Sequence, residues 1–327
     1  MKNKPLQVGV MGCASIAERM VIPAILESEN LQLHTVASRD LSKAEKYAQK
    51  FGCLATEGYE SLLHNSEIDL IYMPLPTSLH HHWAVLALKS GKHVLLEKSL
   101  ACNLPETTEI IHAARKAGKL VKENFMFAYH AQMNKIREIL SSGRLGQIRC
   151  IRSSFGFPPF PDASNIRYSK ELGGGALLDA GAYTLKVASE LIGENLSVGS
   201  ASLSVDQKKG VDLFGGIFLT APGGIVIETA FGFDHFYQCS LEIWGNRGKL
   251  TAERIFTAGP GISPKIRIEE NGNQEIIEIA ADNHFLNLLN AMTSVIESGD
   301  YENEYRAVLY QAALLEETRQ KAMEFNI

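Results

Sequence analysis

The chain has 327 residues, of which 45% are hydrophobic and 21% charged, and its formal net charge is −5. This length favours two domains over one core. The negative charge and the lack of a lysine-rich tract argue against nucleic acid or an anionic membrane as a partner. No apolar stretch reaches the ~18 residues of a membrane span. Five dispersed cysteines without a CxxC pair, and the lack of a secretory signal, favour a reduced cytoplasmic protein.

The first part of the chain, residues 1–123, alternates apolar runs with helical patterns. Three helical segments each end on a glycine suited to the position after a helix. Alternation of this kind predicts an α/β domain with a parallel, doubly wound sheet. The predicted strands are Leu6–Met11, Leu31–Ser38, Leu70–Met73, His93–Glu97 and Leu120–Glu123.

The remainder, residues 124–327, has a different texture. Eight short strand-like segments from "GQIRCIRSSFGF" to "NQEIIEIA" follow one another, several separated by turn sequences such as "APGG", "GNRG" and "ENGN". They predict a second α/β domain with a large open, mainly antiparallel sheet. Helices are predicted after Leu178, over His284–Glu297, and from Tyr301 toward Glu324. Because an open sheet needs a cover, we expect a homo-oligomer, a dimer or tetramer, that forms through this face.

The turn after the first strand, "MGCASIAERM", matches the dinucleotide fingerprint GxGxxG/A with Gly12, Ala14 and Ala17. Such a turn presents helix N–H groups to a pyrophosphate. Small residues are also common in any tight strand–helix junction, but the position in the first turn favours the cofactor. Pro23 is expected to break the following helix. The predicted cofactor contacts in this turn are Gly12, Cys13, Ala14, Ser15 and Ile16.

The second predicted strand ends with Ser38 and Arg39, where an NAD-preferring site usually has an acidic residue. A hydroxyl and a guanidinium suit a 2′-phosphate. The alternative is a solvated surface turn. The sequence therefore predicts NADP(H) as the cofactor.

Glu97 and Lys98 follow the buried strand-like run Val94-Leu95-Leu96. Ligands of an open parallel sheet bind at the carboxyl ends of its strands, which would place both residues beside the nicotinamide. A lysine there can polarise a carbonyl and donate a proton, and a neighbouring carboxylate can orient it. The spacing alone favours a surface ion pair equally well.

The order of "GCASIA", "ASR", "PLPTSLHHHWAVLALKSGKHVLLEKSL" and "GGGALLDAGAY" resembles the Gfo/Idh/MocA oxidoreductase family. The resemblance covers nearly the whole chain. It implies an N-terminal Rossmann domain, a C-terminal α/β domain with an open sheet, and pyridine-nucleotide redox chemistry on sugars and other polyols.

The resemblance also implies roles for residues of the first domain. Lys98 matches the lysine of the family's EKP motif and becomes the lead catalytic residue, although Ser99 replaces the proline. The residues expected near the cofactor are Leu75, Thr77 and His80, in the loop over the nicotinamide ribose, together with Glu97, Lys98 and Asn124.

The segment "GGGALLDAGAY" carries the expected substrate residues Asp179 and Tyr183, four positions apart on one predicted helical face. The resemblance implies that Tyr183 donates a proton to the substrate oxygen with help from Lys98. The alternative is a tyrosine at the edge of the core. Arg167 is expected to contact a cofactor or substrate phosphate.

The segment "FGFDHFYQCSLEIWGNRGKLTAERIFT" resembles nucleoside-diphosphate-hexose 3-ketoreductases, in which positions matching Tyr237 and Thr257 face the nucleotide-sugar. No metal is expected, because the consecutive His80, His81 and His82 point about 100° apart on a helix.

The predicted function is an NADP(H)-dependent 3-ketoreductase that acts on a nucleotide-linked keto-deoxyhexose. Two alternatives stay open at this point. One is an NAD(P)-dependent dehydrogenase of a free aldose, inositol or dihydrodiol. The other is a non-catalytic NADP(H)-binding sensor, against which the joint presence of Lys98, Asp179 and Tyr183 argues.

Overall fold

The computed structural model describes residues 4–327 and divides into two compact units. The first unit comprises the chain up to Asn124 together with Phe285–Ala312, and the second comprises Phe125–His284 and Ala313–Ile327. This division differs from the predicted one in a single respect: residues 285–312 pack with the first unit.

The sheet of the first unit has six parallel strands in the order β3-β2-β1-β4-β5-β6, which is the order of a dinucleotide-binding Rossmann fold. The predicted strands are all present. The short edge strand β3 was not predicted, because it lacks buried apolar residues. The strands are β1 (Leu6–Met11), β2 (Leu31–Ser38), β3 (Leu54–Glu57), β4 (Leu70–Met73), β5 (His93–Leu96) and β6 (Val121–Glu123).

The helices follow the strands closely in the first unit. The predicted glycine ends are confirmed at Gly52 and Gly118, both left-handed. Pro23 does not break its helix as predicted: a π-helical segment, Ala17–Val21, continues directly into α1, and Pro23 lies within this continuous helical run. The α-helices are α1 (Ile22–Glu27), α2 (Leu41–Phe51), α3 (Glu60–His64), α4 (Thr77–Lys89), α5 (Leu104–Ala117), α6 (Ala131–Ser141), α7 (Ala182–Ile192), α8 (His284–Ser298) and α9 (Glu302–Lys321).

Residues 285–312 belong to the first unit through both apolar and polar contacts. Tyr305 and Val308 are buried in the same core cluster as the strands of the Rossmann sheet. The Tyr305 hydroxyl donates to the carbonyl of Lys119 at 2.7 Å, and the nearly buried Lys122 ammonium pairs with Glu304 at 2.6 Å. Tyr305 and Val308 of α9 therefore pack in the core of the first unit.

The sheet of the second unit has nine strands in the order β14-β13-β12-β11-β7-β10-β9-β8-β15. Most neighbours are antiparallel, whereas β7 with β10 and β8 with β15 are parallel. The eight predicted strands are confirmed. The strands are β7 (Ile148–Gly156), β8 (Ser197–Asp206), β9 (Val211–Ala221), β10 (Ile225–Gly232), β11 (Gln238–Gly245), β12 (Gly248–Glu253), β13 (Lys265–Glu270), β14 (Asn273–Glu278) and β15 (Ala322–Asn326).

The last strand corrects the predicted extent of the last helix. The helix was expected to continue toward Glu324, but α9 ends at Lys321 and Glu324 lies within β15. There its backbone pairs with Leu203 of β8. Pairing with the sheet edge replaces helical hydrogen bonds, and the local sequence carries no sign of this distant partner.

Candidate active site

The first turn of the Rossmann sheet has the geometry expected of a dinucleotide site. Gly12 has φ +118°, and its N–H donates to the carbonyl of Ala37 at 2.9 Å. A Cβ at this position would lie 3.0 Å from Leu75 Cδ2, so a side chain would be both strained and crowded. Cys13, Ala14, Ser15 and Ile16 follow, partly or fully exposed, where the helical segment begins. These N–H groups precede the first helical hydrogen bonds and can face a pyrophosphate.

The end of β2 presents a cation instead of a carboxylate. Arg39 is exposed at this strand end. Ser38 is buried, and its hydroxyl accepts from the N–H of Asp40 at 3.2 Å. The Asp40 carboxylate caps α2 by accepting from the N–H of Ser42 at 2.9 Å. The acidic side chain nearest to this strand end therefore serves the helix, and Arg39 is the group available to a 2′-phosphate.

Three neighbouring strands bring polar side chains together at their carboxyl ends. Oε1 of Glu97 accepts hydrogen bonds from the Tyr72 hydroxyl and from Nδ2 of Asn124, each at 2.7 Å. Burial raises the pKa of Glu97, against the lowering effect of these two donors and of Lys98. Oδ1 of Asn124 is buried and has no hydrogen-bond partner. The predicted Glu97, Lys98 and Asn124 thus share one edge of the sheet, with an acceptor left for a ligand.

The side chain of His80, which is expected near the cofactor, is 0% exposed. One ring nitrogen, Nδ1, lies 3.1 and 3.2 Å from the carbonyl oxygens of Ser99 and Leu100, and Nε2 lies 2.9 Å from that of Leu75. Burial lowers the pKa of His80, against these carbonyl contacts. His80 therefore ties the loop after β4 to the segment after Lys98.

The segment after Lys98 has a second support. Oε1 of Glu123 accepts from the N–H of Leu100 at 2.8 Å. The peptide bond between Lys98 and Ser99 is cis, at the position where the family motif has proline. Of the other predicted loop residues, Leu75 is buried over Gly12 and Thr77 is the half-buried first residue of α4. The position of Lys98 is thus set by residues on both sides of it.

In the second unit, Gly174 and Gly175 allow close backbone approach. A Cβ at Gly174 would overlap the carbonyl of Arg167, and a Cβ at Gly175 would overlap the carboxylate of Asp212. That carboxylate accepts from the N–H of Leu177 at 2.6 Å. Asp212 therefore holds the beginning of the helical segment that carries Asp179 and Tyr183.

Asp179 and Tyr183 do not share a regular α-helix. Residues Leu177–Gly181 form a π-helical segment that continues into α7, so the predicted 3.6-residue spacing does not apply across it. Asp179 accepts from Nε of Arg167 at 2.7 Å, and the guanidinium lies 4.8 Å from the Phe160 ring centroid. Arg167 and Asp179 thus form one ion pair instead of acting as separate contacts.

Tyr183 is buried in an aromatic cluster. Its ring centroid lies 5.0–5.7 Å from those of Phe125, Phe127, Phe155 and Phe256. Its hydroxyl lies 3.7 Å from the sulfur of Met126. The packing fixes the direction of the hydroxyl, which is the requirement for a positioned proton donor.

Tyr237 and Thr257 lie together, as their shared predicted role requires. The two hydroxyls are 2.6 Å apart, and Thr257 Oγ1 also lies 3.4 Å from the sulfur of Cys239. Tyr237 is 37% exposed, so this pair lies at the surface of the unit.

The sequence analysis missed Tyr72, Glu123 and Asp212. Tyr72 donates to the predicted Glu97, whereas Glu123 and Asp212 accept from backbone N–H groups near the predicted Lys98 and Asp179, and these hydrogen bonds span 23 to 35 positions. Tyr72 and Glu123 lie near the carboxyl ends of strands, where polar residues deserve notice in a parallel sheet. Asp212 had no comparable signal.

Among residues 4–327, His, Cys, Asp and Glu side chains form no group of three or more that could hold a metal ion. No helix there is long and apolar enough to cross a membrane.

The residues present fit an NADP cofactor. Gly12 leaves room where a side chain would collide with Leu75, Arg39 is exposed at the end of β2, and Asn124 offers a buried, unpartnered acceptor. When bound, NADPH supplies a hydride. The residues that would hold it are those of the first turn, the end of β2 and the carboxyl ends of β4, β5 and β6.

The Rossmann sheet of the first unit, with the site residues at its carboxyl ends, and the nine-stranded sheet of the second unit are typical of a pyridine-nucleotide oxidoreductase. Family models agree: residues 6–125 match the Gfo/Idh/MocA oxidoreductase family, NAD-binding Rossmann fold, and residues 133–251 match the Gfo/Idh/MocA C-terminal domain. The chain belongs to the Gfo/Idh/MocA oxidoreductase family.

Individual relatives show which members of the family the chain is similar to. The chain is 37% identical to a dTDP-3,4-didehydro-2,6-dideoxy-α-D-glucose 3-reductase of Saccharopolyspora spinosa, over 96% of each chain. A 3-ketoreductase from Actinomadura kijaniata, solved in complex with NADP and TDP-benzene, superposes with a TM-score of 0.96 at 34% identity, over 99% of this chain and 100% of that one. A D-xylose 1-dehydrogenase (NADP⁺) of Haloferax volcanii is 28% identical over 90% of each.

Proposed function

We propose that this protein reduces the C3 ketone of a nucleoside-diphosphate-linked keto-deoxyhexose with NADPH. The observation that carries the proposal is the similarity, over nearly the full length, to 3-reductases of dTDP-linked keto-deoxyhexoses. The Actinomadura kijaniata enzyme was solved with NADP and TDP-benzene bound. These two ligands support the proposed cofactor and the proposed nucleotide-linked substrate.

In this proposal, Lys98 and Tyr183 supply the proton for the substrate oxygen. Lys98 follows β5 at the sheet edge where Glu97 and Asn124 meet, and the segment after it is held by His80 and Glu123. Tyr183 has its ring fixed by four phenylalanines. A positioned acid typically contributes ~10²–10⁴-fold to the rate. Structures of the Actinomadura kijaniata enzyme include a lysine-to-alanine and a tyrosine-to-phenylalanine variant.

Other site residues have binding roles in the proposal. The Arg167–Asp179 ion pair positions a guanidinium for a phosphate, and Tyr237 and Thr257 contact the nucleotide-sugar. His80 is proposed as a positioning residue, because its buried ring contacts backbone carbonyls of the segment that follows Lys98.

The first experiment is a titration of the protein with NADPH and NADH, followed by nicotinamide fluorescence, and then by addition of a dTDP-linked 3-keto-deoxyhexose. We expect tighter binding of NADPH, and oxidation that requires the keto sugar. Oxidation of free xylose with NADP⁺ would instead favour the dehydrogenase function of the Haloferax volcanii relative. If neither nucleotide binds, the proposal is wrong.

Arg39 provides the test of cofactor choice. Arg39→Ala removes the exposed guanidinium at the end of β2, and we expect the preference for NADPH over NADH to fall by roughly tenfold or more. Lys116→Ala, on the exposed face of α5, is the matched control. An unchanged preference in Arg39→Ala would refute the assigned role.

We also propose that two copies associate through the open face of the nine-stranded sheet. This face carries paired charges around an aromatic ring: Arg152 lies 4.1 Å from the Trp244 ring centroid and pairs with Glu228, and Lys249 pairs with Glu242. Light scattering of the wild-type protein and of Trp244→Asp tests this, since the variant should dissociate. A monomeric wild-type protein would contradict it.

The cellular location stays a prediction. The cytoplasm is favoured by five dispersed cysteines without a CxxC pair, which suit a reducing compartment. Reporter fusions of the full chain in the source cell would test it.

A further inference from the structure

The segment between β10 and β11 has an unusually exposed aromatic side chain. Phe236 is 86% exposed, the highest value among the large hydrophobic residues of the described chain, and the adjacent Tyr237 is 37% exposed. Burying such a ring against a ligand stabilises a complex, whereas leaving it in water contributes nothing to the fold. The exposure therefore indicates a contact surface.

The turn after β12 has a second unusual feature. Arg254 has φ +58°, a left-handed conformation that is strained for a non-glycine residue. In the described chain, Asn271 is the other non-glycine residue with positive φ. It lies in the β13–β14 turn, and asparagine tolerates that conformation. No such preference explains Arg254.

Buried groups hold this turn in place. Gln132, which is 0% exposed, donates through Nε2 to the carbonyl of Ile255 at 3.2 Å and to that of Arg254 at 3.4 Å. The N–H of Phe256 donates to the sulfur of Cys239 at 3.3 Å. Strain that the surroundings maintain in this way is typical of functional positions.

The two features belong to one surface. The Arg254 guanidinium lies 5.9 Å from the Tyr237 ring centroid, and the Tyr237 hydroxyl lies 2.6 Å from Thr257. Among residues 4–327, no carboxylate forms an ion pair with Arg254, so its charge is available to a ligand. We name the group formed by Phe236, Tyr237, Arg254 and Thr257 the arginine–aromatic surface.

A guanidinium beside exposed aromatic rings matches the chemistry of a nucleoside diphosphate. Arginine binds phosphate oxygens with paired, charge-assisted hydrogen bonds. Aromatic side chains stack on the faces of nucleotide bases. The sugar ring offers neither negative charge nor a π-face, so this surface suits the nucleotide half of the substrate.

We propose that Arg254 binds the diphosphate and that Phe236 stacks on the base of the nucleotide-sugar, so that the arginine–aromatic surface selects substrates by their nucleotide. This inference rests on the proposed function and assigns two residues that the sequence did not single out. Tyr237 and Thr257 then bridge between these two contacts.

The test is calorimetric titration of the full-length protein, saturated with NADPH, with thymidine diphosphate. Arg254→Gly removes the guanidinium and suits the left-handed backbone, and Asn271→Gly is its matched control. Phe236→Ala is compared with Phe325→Ala, another exposed phenylalanine on β15. We expect Arg254→Gly and Phe236→Ala each to weaken binding about tenfold, and both controls to bind like the wild type.

Two further probes separate the contacts. Inorganic pyrophosphate should lose affinity in Arg254→Gly only, and KM for the nucleotide-sugar should rise in both variants while kcat stays within about twofold. If the wild type binds thymidine diphosphate and both variants match their controls, this inference is wrong and the proposed function stands. If the wild type does not bind thymidine diphosphate at all, the nucleotide-sugar function itself fails.

Discussion

Lys98 and Tyr183, the two proposed proton donors, have opposite surroundings. The strand end that carries Lys98 is held by hydrogen bonds: Tyr72 and Asn124 donate to Glu97, and His80 and Glu123 contact the backbone that follows. Tyr183 is held by packing against four aromatic rings.

The difference predicts how each position responds to substitution. Loss of one partner in a buried polar network leaves its other partners unsatisfied, which costs ~1–3 kcal/mol for each group. An aromatic cluster instead tolerates loss of a hydroxyl, as long as the ring remains. A substitution at Tyr183 can therefore lower activity without lowering the stability of the fold. Substitutions around Lys98 are expected to lower both.

The largest effect is expected at Lys98 itself. Lys98→Met should lower kcat by roughly 10³-fold, because it removes the proposed acid and retains the length of the side chain. Steady-state kinetics with NADPH and the keto sugar measure it. Lys89→Met, at the exposed end of α4, is the control and should retain full activity. A kcat within tenfold of wild type would remove Lys98 from the mechanism.

Tyr183→Phe is expected to lower kcat by about 10²-fold and to leave the unfolding midpoint unchanged, since the ring packing persists. Tyr183→Ala should also destabilise the fold, by about 3–5 kcal/mol, because it empties the space between four phenylalanines. Urea unfolding and kinetics of both variants test the separation. Equal loss of stability in the two variants would contradict it.

A pH experiment compares the two units. Burial lowers the pKa of His93, in the first unit, and of His284, in the second, to about 4 from 6.5. Below 6.5 the unfolded chain takes up protons that the folded protein does not, so stability falls as the pH decreases toward 4. Each residue should account for about 2 kcal/mol between neutral pH and roughly pH 5.

Urea unfolding at both pH values measures this loss. His93→Asn and His284→Asn should each reduce it, whereas His82→Gln, on an exposed position of α4, should not. If either variant loses as much stability between the two pH values as the wild type does, that histidine does not cause the loss of stability at acid pH.

The smallest effect is expected at His80. His80→Gln retains one donor but cannot reach all three carbonyls, so Lys98 should shift and kcat should fall about tenfold, with KM for the sugar unchanged. Steady-state kinetics at a temperature well below the unfolding midpoint measure kcat and KM separately. His82→Gln is again the control. A rise in KM at constant kcat would point to a purely binding or structural role.

Much of the fold was predictable because local periodicity determined it. Every strand of the Rossmann sheet except β3, and eight strands of the second sheet, follow from apolar runs and turn sequences. Three features depended on partners distant in sequence. These are the packing of residues 285–312 with the first unit, the pairing of β15 with β8, and the exposed edge strand β3.

The candidate site shows the same limit. Motif spacing pointed to Gly12, the family resemblance pointed to Lys98 and Tyr183, and the roles assigned to all three stay predictions. Spacing did not reveal that His80 faces inward or that a π-helical segment precedes α7. The position of His80 depends on hydrogen bonds to backbone that is remote in sequence, and the π-helical segment depends on irregular backbone hydrogen bonds. The type of a residue predicts neither.

The discontinuity of the first unit has a consequence for synthesis on the ribosome. When Asn124 has emerged, the six Rossmann strands are present, but the surface that later accepts Tyr305 and Val308 is still bare. Lys122, nearly buried in the finished protein, then has no Glu304 to neutralise it. Completion of the nucleotide-binding unit must wait while the whole nine-stranded domain, apart from β15, is translated. During that interval the nascent chain exposes apolar surface, and we expect it to be the stage most prone to aggregation.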